Sequence, residues 1–166
     1  MNQSVEEFQT LFREHYTAIL RYMERRVPDP ADAEELAADV FRYAWASAEP
    51  AVRHPKAWLY AIARNTLLDS YRRSQRRLAA LGRLERQSAT EAVVEQGSQW
   101  EHPLHRILAQ LPEPTQEILR LHYWEELETK EIGMVLGISP VNARVRLHRA
   151  RTELKAHLNQ NQSEGK

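Results

Sequence analysis

The chain has 166 residues, 42% of them hydrophobic, which is enough for one domain or two small ones with a buried core. It contains no cysteine, which excludes disulfide bonds and cysteine-ligated zinc, and no apolar run approaches the roughly 20 residues of a membrane-spanning helix. The acidic start MNQSVEEF lacks the basic and apolar segments of a signal peptide, so we expect a cytoplasmic protein.

The net charge of zero is the sum of four blocks of alternating sign. Residues 1–50 carry 5 basic and 10 acidic side chains, and residues 51–87 carry 9 and 2. Residues 88–129 carry 2 and 8, and residues 130–166 carry 7 and 3. Two basic surfaces separated by acidic ones suit a protein that contacts DNA at two places and another partner between them.

Helical periodicity predicts two helices in the first acidic block. Ser4 and Glu7 form a capping-box pattern, and apolar residues recur at three and four residues up to about Val27. The PDP sequence at 28–30 ends this helix, and Asp29 can cap the next. The second helix is amphipathic, and its outer face carries the acidic residues Asp32, Glu34, Glu35 and Asp39.

A third helix is predicted after an aperiodic loop at 48–56 that contains two prolines, and Pro55 is placed to open it. We expect it to continue through Arg77, with a buried stripe of Leu59, Ile62, Ala63, Thr66 and Leu67. Its other side is aromatic and basic: Trp58, Tyr60, Arg64, Asn65, Asp69, Arg72, Arg73, Arg76 and Arg77. This composition suits the binding of unstacked bases and phosphate. Equally, Trp58 and Tyr60 could lie in the core and the arginines could form a solvated helix end.

The pattern dissolves in the low-apolar, acidic segment 83–102, which we interpret as a flexible linker. Helical periodicity then resumes in a second domain, residues 103–158. No segment alternates convincingly as a strand. We therefore predict an all-α chain of two small helical domains, 1–82 and 103–158, with a disordered tail at 159–166.

Within the second domain, TKEIGMVLGISPVNARVRLHRAR at 129–151 has the pattern of a helix-turn-helix. Gly137 supplies the positive φ that ends the first helix, and Ser139 and Pro140 suit the start of the second. An apolar stripe of Ala143, Leu147, Ala150, Leu154 and Leu158 packs inward. The candidate DNA contacts are Ser139, Asn142, Arg144, Arg146, His148, Arg149 and Arg151. These amide and guanidinium groups suit adenine, guanine and phosphate, although a solvated basic helix of an ordinary bundle would have a similar sequence.

HPKAWLYAIARNTLLDSYRRSQRR at 54–77 and LPEPTQEILRLHYWEELETKEIGMVLGISPVNARVRLHRAR at 111–151 together resemble the two conserved regions of bacterial sigma factors of the extracytoplasmic-function group. The resemblance covers roughly residues 8–158. It implies a non-enzymatic subunit, without a cofactor, that binds core RNA polymerase, directs it to a promoter and helps to open the DNA. Residues 8–82 would engage the minus-ten element, and residues 103–158 would read the minus-thirty-five element.

The resemblance also implies contact residues in the first domain. EELAADVF at 34–41 is similar to the segment that docks on the clamp helices of the largest polymerase subunit, with candidates Glu35, Leu36, Asp39 and Phe41. Leu36 and Phe41 could equally fill the core, and Ala38 stands where the family usually has glutamine. The loop at 49–56 and the helix after it resemble the base-capturing and melting surface. Its candidates are Arg53, His54, Lys56, Trp58, Asn65, Asp69, Arg72, Arg73 and Arg76.

In the second domain Asn142, Ala143 and Val145 stand where the family has threonine, valine and serine. We expect these departures to alter sequence preference or helix packing while the arginines still contact phosphate. Members of the group are commonly held inactive by an anti-sigma partner, often bound to the membrane. The resemblance therefore implies such a partner here as well.

Two other classes of protein are alternatives to a sigma factor. A stand-alone dimeric helix-turn-helix regulator would explain 129–151 but leaves the motif at 54–77 unexplained. An enzyme has little support because there is no glycine-rich phosphate loop and no cysteine nucleophile. His102 and His105 have a spacing that could suit a metal, but no further ligand is near, so we expect a solvent-exposed pair.

Overall fold

The computed structural model describes residues 2–47, 53–82 and 103–165, and within these ranges every regular element is an α-helix. The all-α prediction is confirmed. The helices are α1 Asn2–Glu24, α2 Pro30–Ser47, α3 Pro55–Leu81, α4 Pro103–Ala109, α5 Glu113–Tyr123, α6 Thr129–Leu136 and α7 Pro140–Glu164. The chain divides into two compact units, Met1–Gln96 and Gly97–Lys166. The predicted linker at 83–102 lies outside the described residues.

In the first unit α1, α2 and α3 pack against one another around one core. The break between α1 and α2 forms as predicted, because the Asp29 carboxylate accepts a hydrogen bond from the backbone N–H of Ala31 at 2.9 Å. The core combines large side chains with alanines that let the helices approach closely. Its members include Ile19, Tyr22, Met23, Ala33, Ala37, Val40, Ala57, Leu59, Tyr60, Ala63 and Leu67. Each large apolar side chain buried here contributes about 1.5–3 kcal/mol.

Aromatic rings join α1 to α2 along the edge of this core. The rings of Phe12 and Phe41 meet edge-on with centroids 4.9 Å apart, and Tyr16 lies 5.9 Å from Phe41. Farther along, Phe8 meets Trp45 edge-on at 5.0 Å. Half of the surface of Trp45 remains exposed beside this contact.

In the second unit α4, α5 and α6 pack against α7, and α5 also packs against α6. The core holds Leu119, Leu121, Leu127 and Ile132 together with the predicted α7 stripe, in which Ala143, Leu147 and Ala150 are buried. Leu154 and Leu158 are only half-buried, because the bundle covers less of α7 toward its C-terminal end.

The turn between α6 and α7 has the predicted residues at the predicted positions. Gly137 adopts a left-handed conformation with φ 68°, which a side chain would strain. Ser139 Oγ then accepts a hydrogen bond from the backbone N–H of Asn142 at 3.1 Å, and Pro140 occupies the first helical position. The cap of α6 was not predicted from the sequence. The Glu131 carboxylate accepts a hydrogen bond from the Glu128 backbone N–H at 3.1 Å and so caps this helix.

The disordered tail predicted at 159–166 is corrected by the structure, in which α7 continues to Glu164. The prediction rested on the polar composition NQNQSEGK. Residues 159–164 contain neither glycine nor proline, so an already nucleated helix can extend through them. The Ser163 hydroxyl also donates a hydrogen bond to the Asn159 carbonyl at 3.0 Å.

Among the described residues, no helix has both the length and the apolar character needed to cross a bilayer.

Candidate nucleic-acid and polymerase interfaces

The orientation of α7 is set by its buried stripe. Because Ala143, Leu147 and Ala150 face the core, the opposite side of the helix points directly outward. That outward stripe consists of residues spaced by four, three and four, and all of them are exposed: Val141, Val145, His148 and Thr152. Val145 was singled out from the sequence only as a departure from the family pattern, and Val141 was not singled out, although the same spacing rule applied to the solvent side places both on one stripe.

Most of the predicted DNA contacts flank this outward stripe. Arg144, Arg146 and Arg149 are exposed, and in the described part of the chain none of the three pairs with a carboxylate. Asn142 is also exposed near the N-terminal end of α7. Ser139 serves as the helix cap through its lone pair, which leaves its hydroxyl hydrogen able to donate to another group.

Arg151 was predicted as a DNA contact, but the structure places it in a bridge between α7 and α5. Its Nε donates to the Tyr123 hydroxyl at 3.1 Å, and its terminal nitrogen lies 2.8 Å from Nε2 of His122. Because a guanidinium only donates, His122 Nε2 accepts, and Nδ1 of the ring then donates to the Leu127 carbonyl at 3.1 Å. Arg151 therefore links α7 to α5 while its side chain stays exposed beside the outward stripe.

The structure brings most of the predicted melting residues onto one face of α3. Spacings of seven, four, three and four residues align Trp58, Asn65, Asp69, Arg72 and Arg76. All are exposed except Trp58, which is half-buried. Asp69 and Arg72 form an ion pair at 3.3 Å with both side chains largely exposed, so the pair stabilises the helix by only a few tenths of a kcal/mol.

The remaining melting candidates lie beside this face or before it. Arg73 is exposed and flanks the stripe. Arg53 is exposed just ahead of α3, and His54 is the N-cap residue, whose carbonyl accepts from the Trp58 backbone N–H at 3.0 Å. Lys56 is half-buried in the first turn of α3. Residues 48–52 of the predicted base-capturing loop lie outside the described residues.

Lys56 lies close enough to His15 of α1 to influence its ionisation. Burial of the imidazole lowers the pKa of His15 below its ordinary value of 6.5, and the positive charge of Lys56 lowers it further. The Glu14 carboxylate, 3.9 Å from His15 Nε2, opposes both effects. The start of α3 and the middle of α1 are therefore electrostatically coupled.

The predicted polymerase contacts divide into core and surface. Leu36 and Phe41 are 6% and 3% exposed, so both fill the core of the first unit. Glu35 is fully on the surface, and Asp39 is half-buried and forms an ion pair with Arg42 one turn later. Only the acidic members of this set can meet another protein without rearrangement of α2.

Two further residues bear on the expectations from sequence. Tyr60 was left open between the aromatic face of α3 and the core, and the structure buries it, with its ring edge-on to Tyr22 at 5.5 Å. His105 was expected to be solvent-exposed, but it is half-buried and stacks on Trp124 with ring centroids 4.9 Å apart. His102 lies outside the described residues. In the described ranges there is no cluster of three or more His, Cys, Asp or Glu side chains that could hold a metal ion.

Comparison with known proteins gives two family matches in the same order as the two helical units. The sigma-70 region 2 family matches residues 11–77, and the sigma-70 region 4 family matches residues 101–154. The Bacillus subtilis RNA polymerase sigma factor YlaC is 30% identical over 168 residues, which cover 96% of each chain. The Mycobacterium tuberculosis ECF RNA polymerase sigma factor SigL is 29% identical over 156 residues, covering 89% of this chain and 86% of SigL.

Among solved structures, the sigma factor RpoE of Bartonella quintana, in complex with the anti-sigma factor NepR, matches with a TM-score of 0.63. The alignment covers 93% of this chain and 98% of RpoE at 19% identity, so it supports the fold. Both family regions and the near full-length relative agree with the helical units and the helix-turn-helix. The chain belongs to the extracytoplasmic-function group of the sigma-70 family of RNA polymerase sigma factors.

Proposed function

We propose that this sigma factor directs core RNA polymerase to promoters through α7, opens the DNA through α3 and meets the polymerase through α2. The observation that carries the proposal is the presence of an exposed basic face on each of two separate helical units in a chain of zero net charge. A uniformly charged surface would not provide two spatially defined DNA contacts.

The upstream promoter element is the proposed ligand of α7. Arg144, Arg146 and Arg149 are free of carboxylate partners within the described residues, so they can neutralise phosphates without first breaking an ion pair. Asn142 is placed to read a base edge, since an amide can make a bidentate contact with adenine. The Ser139 hydroxyl can add a phosphate contact beside the N-terminus of the helix.

The melted downstream element is the proposed ligand of the α3 face. Unstacking a base costs a few kcal/mol, and stacking on an aromatic side chain returns about 1–3 kcal/mol. Trp58 is the aromatic residue on this face, and Asn65 and Asp69 can bond to the edge of an extruded base. Arg72 and Arg76, with flanking Arg73 and with Arg53, His54 and Lys56 at the helix start, would hold the backbone of the separated strand.

Core RNA polymerase is the proposed partner of the acidic face of α2. Glu35 and Asp39 would make the polar contacts, while Leu36 and Phe41 hold the helix in place from inside the unit. Ala38 is exposed on the same helix and offers no hydrogen bond, which would make this contact weaker than one through a glutamine. The polymerase would perform the chemistry, so the chain itself needs neither catalytic residues nor a cofactor.

Regulation by an anti-sigma factor is also proposed, by analogy with the complex of RpoE and NepR. The protein would work in the cytoplasm, where polymerase and DNA are, and an anti-sigma factor could hold it at the inner face of the membrane.

The test of the proposal is the dependence of DNA binding on core polymerase. A fluorescent promoter duplex is titrated with this chain, with core polymerase and with both together. We expect tight, promoter-specific binding only for the combination. Tight binding of a palindromic duplex by the chain alone, without association with core polymerase, would favour the stand-alone regulator instead.

A further inference from the structure

Two valines lie at the outward centre of the DNA-reading helix. Val141 is 67% exposed and Val145 is 41% exposed, and they are one helical turn apart on the side of α7 directly opposite the core. Single exposed apolar residues are common on protein surfaces and need no explanation. These two are unusual in position, because arginines flank them on both sides and the first turns of a recognition helix enter the major groove.

The positive charge around Val141 and Val145 indicates which ligand binds over them. The guanidinium groups of Arg144, Arg146 and Arg149, which pair with no carboxylate among the described residues, attract a polyanion to the same side of the helix. Once α7 lies in the groove, the valines face base edges and exclude water from them. A valine side chain cannot donate or accept a hydrogen bond, so it can discriminate only by apolar contact. In the major groove the apolar group is the 5-methyl of thymine.

We propose that Val141 and Val145 form a thymine-methyl contact that sets part of the sequence preference for the upstream promoter element. This inference rests on the proposed function of α7. Side chains one turn apart are about 5–6 Å from each other, and stacked bases are about 3.4 Å apart, so the valines contact base pairs no more than two steps apart. Valine is also restricted about χ1, so little side-chain freedom is lost on contact.

The test uses holoenzyme, made from this chain and core RNA polymerase, and a promoter mapped by transcription with that holoenzyme. Each thymine of the upstream element is replaced singly by deoxyuridine, which removes the 5-methyl group and keeps base pairing. We expect the affinity of wild-type holoenzyme to fall about fourfold at one thymine or at two thymines no more than two steps apart, the size expected for the loss of one buried methyl group. Replacements elsewhere in the element should have no effect.

The valine variants identify the protein side of the contact. Val141→Ala, Val145→Ala and the double variant should bind the thymine promoter more weakly than wild type. Each single variant should lose part of the difference in affinity between the thymine and the uracil promoter. The double variant should lose all of that difference. Val5→Ala is the matched control, because Val5 is 42% exposed in the first unit and should leave the difference intact. Circular dichroism spectra confirm that each variant is folded.

Two results would overturn the inference. Wild-type holoenzyme that binds every uracil-substituted promoter with unchanged affinity would exclude a methyl contact. A thymine preference that persists in the double variant, whether or not overall binding weakens, would assign the contact to other residues. Promoter-dependent transcription in these cases would leave the proposed function standing, whereas the absence of any holoenzyme-dependent transcript would reject both.

Discussion

At the scale of single residues, two arginines of α7 that look alike in sequence have different environments. Arg146 is exposed and has no carboxylate partner in the described ranges, whereas Arg151 donates to Tyr123 and lies in hydrogen-bond range of His122. A helical wheel places both among the polar positions. It could not have separated them, because the partners of Arg151 are on α5, 28 and 29 residues away in the sequence.

Replacement of Arg146 should affect DNA affinity. We expect Arg146→Ala to weaken holoenzyme binding to all promoters to a similar degree, since it removes a phosphate contact. It should also reduce the slope of log affinity against log salt by about 1. Titrations of promoter duplexes at several salt concentrations measure both quantities, and unchanged affinity with an unchanged slope would reject the prediction.

Replacement of Arg151 should affect stability instead. Arg151→Ala removes the bridge to α5, and we expect the second unit to lose about 1–2 kcal/mol of unfolding free energy, with no change in the salt slope. Tyr123→Phe removes one of the two partners and is the matched control, with a smaller loss expected. Thermal unfolding followed by circular dichroism provides the measurement, and a reduced salt slope for Arg151→Ala would restore its assignment as a phosphate contact.

His15 should make the first unit sensitive to mild acid. Burial and Lys56 hold the pKa of His15 below 6.5 in the folded state, so the unfolded chain binds the proton first as the pH falls. Stability should therefore be intact above about pH 6.5 and decrease as the pH falls through the folded pKa. We expect the free energy of unfolding of His15→Gln to fall less than that of wild type as the pH is lowered from about 6.5 through the folded pKa of His15.

Nuclear magnetic resonance titration of the His15 ring separates the causes of the shift. Lys56→Gln should raise the pKa of His15, because a positive charge is removed, and Glu14→Gln should lower it further, because a favourable carboxylate is lost. Opposite directions for the two variants are the expected outcome. A pKa that is unchanged in both would contradict the electrostatic coupling of α1 with the start of α3.

At the scale of elements, the helix-turn-helix turn was largely predictable because its chemistry is local. Gly137, Ser139 and Pro140 were assigned from backbone preference alone, and all three adopt the expected roles. The role of Gly133 was not predictable, since its constraint comes from the chain folding back after the turn. A Cβ at Gly133 would lie 2.8 Å from the Ile138 carbonyl oxygen, which is too close for the turn to remain in place.

Alanine at Gly133 and alanine at Gly137 should each destabilise the second unit, but for different reasons. Gly133→Ala forces the turn to shift, at a cost of about 1–3 kcal/mol, and should also weaken promoter binding by moving α7. Gly137→Ala meets open space but strains a backbone with φ 68°, at a cost of about 1–2 kcal/mol. Denaturant unfolding measures both. A Gly133→Ala protein with unchanged stability and promoter affinity would contradict the proposed constraint.

Helix ends and single faces were less predictable than turns. The length of α7 was underestimated because the polar residues after Leu158 contribute nothing to an apolar stripe, although they permit helix continuation. The sequence left Tyr60 open between the outer face and the core, and the α1–α3 contact buries it against Tyr22. Such assignments depend on where neighbouring helices pack, which the period of one helix does not determine.

At the scale of the whole molecule, helical periodicity was sufficient to predict the helical class, and the two motifs together were sufficient to predict the family. Most of the melting candidates share one face of α3, since seven-, four- and three-residue spacings lie within one helix, and their role in melting stays a prediction. For the polymerase-contact candidates, the sequence did not separate core residues from surface residues. Leu36 and Phe41 alternate with acidic surface residues in the same motif, and only their packing against α1 and α3 assigns them to the core.

Run-off transcription tests the central claim most directly. Genomic fragments are transcribed by core RNA polymerase with and without this protein, and the start sites are mapped. The account predicts discrete new transcripts whose start sites share two upstream elements, and it predicts their loss when Arg144, Arg146 and Arg149 are replaced together by alanine. A protein that fails to bind core polymerase and yields no new transcript would contradict it.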